Sequence, residues 1–172
     1  MDNNIRYLAL EVAKSIQDEF PKRGRPPEVG ISSDTEQVLP ISIIRGTRGY
    51  ISKIANQING CYENGWYDAC AVMMRRLLET LLIETFENNG LDHKIKNTDG
   101  NFLSLEKLID KTLAEQSWNL GRDSKKSLPR LKKIGDLSAH NRRYVAHRND
   151  LEKIKDDFRV IVQELVYIAK YQ

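Results

Sequence analysis

The sequence predicts an all-α helical bundle, and three features of the chain support this fold class. Apolar residues recur at steps of three and four along most of the chain, which is the periodicity of helix faces. No segment alternates polar and apolar residues for long enough to predict a strand. The chain has 172 residues, of which 40% are hydrophobic, and this suffices for one domain with a buried core.

The first 40 residues predict a helix followed by an extended arm. Apolar residues between Ile5 and Phe20 keep the helical step. Residues 21–40 contain four of the five prolines and two glycines, which favours a long loop. Such loops are uncommon within a compact domain unless they wrap a surface or serve a function. We therefore treat residues 1–40 as an appendage and 41–172 as the bundle, with residues 21–40 as a candidate docking segment for a protein partner.

The bundle begins with a predicted helical hairpin. Its first helix runs from about residue 48 to 63, and the turn residues Asn64-Gly65 connect it to the second. A link this short makes the two helices antiparallel. The second helix, from about residue 66 to 88, is apolar nearly all round, so we expect it at the centre of the bundle.

Three further helices are predicted after the hairpin. Ser104 is positioned to cap a short helix that reaches residue 113. The next helix is expected to start near Leu128-Pro129, because proline is tolerated in a first turn. The last should start at Asn149, with Glu152 completing a capping box. Its apolar seam has the cleanest helical repeat in the chain and comprises Leu151, Ile154, Phe158, Ile161, Leu165 and Ile168.

Several classes of protein are disfavoured by absent signals. The chain lacks the P-loop, the dinucleotide-binding fingerprint, the zinc-protease motif and the serine-hydrolase elbow. Cys61 and Cys70 are too few for a disulfide framework or a zinc site, so we expect reduced packing residues and neither a metal nor a cofactor. No apolar run reaches 18 residues and no secretory signal opens the chain, which predicts a cytoplasmic protein without a membrane helix.

Positive charge is concentrated in residues 122–148. This segment contains nine lysines and arginines and two aspartates, a net charge of +7, whereas the whole chain carries +3. A localised basic surface favours a polyanionic partner such as RNA or a nucleotide. The alternative is a solvated helix face whose charges are balanced by acidic residues elsewhere in the fold.

Residues 131–148 contain the groups that could do chemistry. If the fourth bundle helix continues through them, five polar side chains at steps of three and four share a sector of about 80°. A histidine there could exchange a proton near neutral pH, a carboxylate one turn earlier could orient its ring, and the cations could bind phosphate. The alternative is an ordinary surface pair. The five side chains are Lys133, Asp136, His140, Arg143 and His147.

Charged residues interrupt the apolar pattern of the second bundle helix at Arg75, Arg76 and Glu79. Arg75 and Glu79 have the spacing of an ion pair, and on an otherwise buried helix we expect them to tie this helix to the basic one. Alternatively, Arg76 lines the same phosphate site. Tyr144 and Trp118 are aromatic candidates for stacking on bases, although core packing would explain them equally well.

Two blocks of the sequence resemble the HEPN superfamily of small α-helical nucleotide-binding and RNase domains, in particular a bacterial branch of it. One block is Trp66-Tyr67-Asp68-Ala69-Cys70 through Arg75-Arg76-Leu77-Leu78-Glu79, and the other runs from Lys132 to His140 and includes Ile134-Gly135-Asp136. The resemblance covers roughly residues 45–170. It implies a homodimer that brings two motifs together across a cleft, and metal-independent RNA cleavage in a defence or toxin–antitoxin system.

The resemblance also suggests which residues act. His140 is our preferred acid–base group because its block matches the superfamily helix, although Lys132 or Lys133 stands where arginine is typical. His147 is the alternative, at the usual spacing from Arg142. The resulting site comprises His140, Asp136 and His147 for catalysis and Lys132, Lys133, Arg142, Arg143, Arg148 and Arg76 for phosphate contacts.

Three functions therefore remain open at this point. The first is a dimeric endoribonuclease that uses the RNA 2′-hydroxyl as the nucleophile and leaves a cyclic phosphate. The second is a non-catalytic module that binds RNA or a nucleotide through the same surface. The third is a helical domain that only binds a protein partner.

Overall fold

The computed structural model describes Glu11 and residues 37–171, and these form an all-α bundle, as the sequence predicts. The five helices are α1 (Gly49–Glu63), α2 (Tyr67–Asn88), α3 (Leu105–Ala114), α4 (Arg122–His140) and α5 (Arg148–Ile168). Within the described residues the only β-type pairing is one isolated bridge, between Lys96 and Phe102. Most of the predicted N-terminal helix, and the arm up to residue 36, lie outside the described residues.

Helix α2 is the centre of the bundle, because it packs against each of the other four helices. Leu77, Leu78, Leu81 and Leu82 are completely buried on successive faces of it. This confirms the position predicted from its all-round apolar pattern. None of the helices in the described ranges is long and apolar enough to span a bilayer.

The α1–α2 hairpin is antiparallel, as predicted from its short link. Gly65 has a φ of +75°, a conformation that glycine adopts without strain. Beyond the turn, the Cys70 thiol lies 3.4 Å from the carbonyl oxygen of Ile58, which shows that the two helices run in opposite directions. Burial raises the pKa of both the Cys61 and the Cys70 thiol, so each stays protonated and acts as a packing residue.

Helix α5 begins at Arg148, one residue before the predicted start. Its N-cap is His147, whose backbone N–H donates to the Asp150 carboxylate at 3.0 Å. The predicted capping role of Glu152 is therefore wrong, because Asp150 is the residue three positions after the cap. Glu152 instead accepts hydrogen bonds from the Tyr62 hydroxyl and, at 2.6 Å, from the Lys155 ammonium. The apolar seam faces the core as predicted, with only Ile168 half-buried.

Helix α4 begins six residues before the predicted start near Leu128, so Pro129 lies in its interior. The polar residues 122–127 resemble a linker in the sequence, but Ser124 and Ser127 are buried, and Ser127 donates to Asp157 of α5 at 2.9 Å. This hydrogen bond satisfies the buried Ser127 hydroxyl, whereas the buried Ser124 hydroxyl has no hydrogen-bond partner. Helix α3 starts where predicted, although the Ser104 side chain makes no capping hydrogen bond.

Residues 37–40 belong to the bundle and not to the arm. Val38 and Leu39 are completely buried. The Asn59 side chain of α1 donates to the Leu39 carbonyl at 2.8 Å and accepts its N–H at 2.9 Å. Arg159 of α5 donates to the Val38 carbonyl at 2.9 Å. Residues 37–40 therefore pack with the bundle, on the other side of the boundary that the sequence predicts after residue 40.

Candidate functional site

An open groove of about 650 Å³ runs along the second half of α4 and into the loop that follows it, residues 141–147. We call it the α4 groove. Four of its lining side chains are cationic and one is a carboxylate. Lys133, His140, Arg142 and Arg143 are exposed along it, whereas Lys132 and Asp136 are half-buried. The complete lining consists of Pro129, Lys132, Lys133, Asp136, Leu137, His140, Asn141, Arg142 and Arg143.

The α4 helix ends at His140, so the predicted continuous polar face through His147 is wrong. Asn141 has an extended backbone, and its side-chain oxygen accepts the backbone N–H of Arg143 at 2.9 Å. An asparagine that satisfies a neighbouring backbone N–H favours a turn over continued helix. Arg143 nevertheless reaches the groove, because the loop carries it there.

Six of the nine predicted site residues line the α4 groove, and three do not. His147 caps α5, and its side chain is exposed outside the groove. The Arg148 guanidinium lies 5.7 Å from the centre of the Tyr62 ring and 4.0 Å from the Glu152 carboxylate. Arg76 is exposed on α2 but is not part of the groove lining.

Both carboxylate oxygens of Asp136 are bound by cations. One accepts a hydrogen bond from Arg75 Nε of α2 at 2.7 Å and the other from Lys132 Nζ at 2.6 Å. The Arg75–Asp136 ion pair joins α2 to α4, as predicted for Arg75. Arg75 also lies 3.5 Å from Glu79 of its own helix. The predicted hydrogen bond from Asp136 to His140 is not formed, because the helix turns Asp136 toward α2.

The electrostatics of Asp136 exclude it as a proton donor at neutral pH. Burial raises the pKa of this carboxyl, but the hydrogen-bonded Lys132 ammonium and Arg75 guanidinium outweigh burial and hold the pKa below its usual range. Asp136 therefore stays ionised. It acts as a clamp that joins α4 to α2 and fixes the Lys132 ammonium at the wall of the groove.

Gly135 allows this clamp to form. A Cβ atom at this position would lie 2.5 Å from Cβ of Arg75, a distance that real Cβ contacts do not reach. A glycine at this position is compatible with a close helix contact or with a helix end. The structure shows the close contact, because α4 continues for five more residues.

The loop from 141 to 147 is held by α2. The Asp68 carboxylate accepts the backbone N–H of Ala146 at 3.0 Å, and Ala146 is buried. Burial raises the pKa of Tyr144, and its hydrogen bond to Asp150 adds to this effect. The first sequence block thus holds α4 through Arg75 and the following loop through Asp68, and these two residues are two turns apart on α2.

Part of the site was not predicted from the sequence, and the structure decides between stacking and core packing for Trp118. Leu137 and Asn141 line the groove without having been predicted, although an asparagine after a helix was a usable end signal. Trp118 packs edge-on against Phe86 at 4.9 Å between ring centres, so it belongs to the core. Trp66, by contrast, is 56% exposed beside the anchored loop. Its position directly after the Asn64-Gly65 turn was the available signal.

The described residues contain no group of three histidine, cysteine, aspartate or glutamate side chains that could hold a metal ion.

Comparison with known proteins gives one family match. The model of a family described as a domain of unknown function, DUF4145, matches residues 56–172. The match covers more than half of the chain and includes α2 to α5, hence the α4 groove and its clamp. No curated protein and no solved structure matches the chain.

Proposed function

We propose that this chain, which belongs to the DUF4145 family of domains of unknown function, binds RNA in the α4 groove. One observation carries the proposal. Four cations line a single groove in which the only carboxylate already has both oxygens bound, so the groove has a large surplus of positive charge. Such a surplus attracts the phosphates of a polyanion.

The length of the groove favours a strand over a single phosphate or a mononucleotide. Its helical wall runs from Pro129 to His140, which at the rise of an α-helix is about 16 Å. Arg142 and Arg143 extend the cationic wall into the loop. Cations spaced along such a path match successive phosphates of a nucleic acid backbone. The resemblance to HEPN domains supports RNA as the polymer.

A second candidate function is cleavage of the bound RNA, and the position of His140 favours it. His140 is exposed in the groove beside Arg142 and Arg143. Its imidazole would take the proton of a 2′-hydroxyl, whose oxygen attacks the adjacent phosphorus and expels the 5′-oxygen. The arginines would stabilise the added charge on the phosphorane. The products are a 2′,3′-cyclic phosphate and a 5′-hydroxyl, and no metal takes part.

The leaving 5′-oxygen needs a proton, and each groove offers one imidazole. A homodimer, which the HEPN resemblance implies, would supply a second His140 as the proton donor. A ribonuclease of this kind fits the defence or toxin–antitoxin role that the same resemblance implies.

Binding is tested by titrating a labelled single-stranded RNA at several salt concentrations. We expect the affinity of the natural chain to fall steeply with salt. Replacing Lys133, Arg142 and Arg143 by alanine should reduce the slope of log affinity against log salt by about 2. The matched control replaces Arg122, Lys125 and Lys126, which are exposed on the same helix outside the groove.

Equal losses of RNA affinity in the groove variant and in the control variant would indicate non-specific charge attraction. They would contradict the assignment of the binding site to the α4 groove. Absence of RNA binding by the natural chain would overturn the proposal. Full displacement of RNA by a mononucleotide at matched phosphate concentration would favour a nucleotide as the ligand.

Cleavage is tested separately with RNA in the presence and absence of EDTA. We expect EDTA-resistant formation of a cyclic phosphate, reduced at least about a hundredfold by His140→Ala. His147→Ala is the matched control, because His147 lies outside the groove. Loss of cleavage in the His147 variant alone, or in EDTA, would contradict this mechanism.

A further inference from the structure

Building on RNA binding in the α4 groove, we propose that Trp66 is a stacking platform for an unpaired base at the loop end of that groove. Trp66 is 56% exposed, although tryptophan is one of the residues that gains most from burial. Val145 is 62% exposed in the adjoining loop. Each is close in the chain to one of the two residues, Asp68 and Ala146, that a hydrogen bond joins.

The backbone of Trp66 is rigidly held. Its N–H donates to the Cys61 carbonyl at 2.8 Å, and its carbonyl accepts the N–H of Cys70 at 2.9 Å. The backbone that carries the indole is therefore fixed between α1 and α2. A base that stacks on a pre-positioned ring costs little ordering of the protein.

The hydrogen bond from Ala146 to Asp68 brings this platform to the groove. Asp68 follows Trp66 by two residues, and Ala146 follows Val145 directly. Arg143 lies three residues before Ala146, so their α-carbons are at most about 11 Å apart. The path from Trp66 through Asp68 and Ala146 to Arg143 thus places the exposed indole within a few nucleotides of the cations that we assign to phosphates.

The chemistry of the surroundings selects a nucleic acid base as the occupant. The loop links Trp66 to a segment with a net charge of +7, and an aromatic ring beside a cationic groove is the usual arrangement for single-stranded nucleic acid. Of the other aromatic candidates, Trp118 packs against Phe86, and Tyr144 is half-buried with its hydroxyl bonded to Asp150. Stacking requires an unpaired base, so the preferred ligand is single-stranded RNA.

The experiment uses the intrinsic fluorescence of the full chain. In a Trp118→Phe variant, Trp66 is the only tryptophan. We expect a single-stranded 12-mer to quench its emission, and the duplex of the same sequence to quench it much less. In the reciprocal Trp66→Phe variant, which retains Trp118, the 12-mer should leave the emission unchanged.

Affinity provides an independent measurement. Trp66→Ala should weaken binding of the single strand by between about fivefold and a hundredfold, whereas Trp66→Phe should retain most of the affinity. The salt slope should stay unchanged, because no phosphate contact is removed. Tyr167→Ala is the matched control, since Tyr167 is 71% exposed on α5 and does not line the groove.

The outcomes separate the two proposals. Salt-dependent RNA binding without quenching, and with unchanged affinity in Trp66→Ala, overturns the stacking site and leaves the α4 groove as the binding site. Equal quenching by duplex and single strand overturns the requirement for an unpaired base. Absence of any RNA binding overturns both proposals.

Discussion

In two regions of the bundle, a carboxylate on one helix pairs with an arginine from another segment. The two regions differ in the exposure of the pair and in the charge around it. On α4, Asp136 binds Arg75 and Lys132. On α2, Glu84 lies 3.3 Å from Arg48 and accepts a hydrogen bond from the Tyr171 hydroxyl. The Glu84 side chain is 3% exposed, whereas that of Asp136 is 30% exposed.

The Glu84 carboxylate is buried and its cluster is electrically balanced, although the Arg48 side chain is 51% exposed. It contains one acid, one arginine and a phenol that remains neutral, because burial and the hydrogen bond to Glu84 raise the pKa of Tyr171. The Asp136 cluster opens onto a groove with further cations at Lys133, Arg142 and Arg143. An ion pair by itself therefore does not mark a functional surface here. Exposure and unbalanced charge distinguish the Asp136 region.

The largest expected effect is at Glu84. Glu84→Ala should lower the free energy of unfolding by about 2–3 kcal/mol, because the half-buried Tyr171 hydroxyl loses its charged acceptor. The salt bridge to Arg48 is lost as well. Urea denaturation measures the change, and RNA affinity of the folded variant should stay as in the natural chain. A smaller loss than in an Asp136→Ala variant would refute the contrast between the two clusters.

The next largest effect on stability is expected at Gly135, whose lack of a side chain permits the close approach of α4 to Arg75. Gly135→Ala should lower the free energy of unfolding by about 1–2 kcal/mol, because its Cβ would overlap Cβ of Arg75 and push α4 from α2. The matched control is Gly60→Ala in α1, where no atom lies within 4 Å of the new Cβ. There the higher helix propensity of alanine should stabilise the chain by up to about 1 kcal/mol. Similar shifts in both melting curves would argue against the close contact.

A smaller effect is expected at Asp136 itself. Asp136→Asn should cost about 1 kcal/mol at neutral pH, since the cluster is partly solvated and screened. The folded-state pKa of Asp136 is lower than its unfolded value of about 3.9. The stabilisation is therefore present above that pH and is lost as the pH falls through the folded-state pKa.

This pH dependence provides the measurement for Asp136. The difference in urea midpoint between the natural chain and Asp136→Asn should be full at pH 6 and shrink as the pH is lowered below 4. A difference that stays constant over this range would show that the charge of Asp136 does not contribute to stability.

The smallest effect on stability is expected at His140. His140→Ala should change the free energy of unfolding by less than about 0.5 kcal/mol, because the side chain is exposed and lies in the last turn of α4. Thermal unfolding measures this directly. A large loss of stability would assign His140 to the scaffold and would remove the reason to test it as an acid–base group.

Much of the fold could be predicted from the sequence because its signals are local. The apolar repeat of α5 and the all-round apolar pattern of α2 depend on residues close in the chain, and both elements lie where expected. The start of α4 could not be predicted in this way. Its first two turns are polar in sequence. Their packing depends on contacts with residues distant in the chain, such as the hydrogen bond from Ser127 to Asp157.

The site could be predicted only in part, because some of its contacts join residues that are distant in the chain. The basic segment and the importance of His140 and its neighbours follow from the composition of residues 122–148. The partner of Asp136 does not, because Arg75 is 61 residues away in the chain. A helical projection of the sequence places His140 one turn from Asp136, but it does not show that Asp136 faces α2.

By itself, the sequence determined that the chain is helical, that α2 is its centre and that positive charge is concentrated near the end of α4. These properties follow from local periodicity and composition. Only the tertiary structure decided which cations share one groove and which acid is neutralised. Those choices depend on the approach of Gly135 to Arg75 and on the bond between Asp68 and Ala146, both of which join residues distant in the chain.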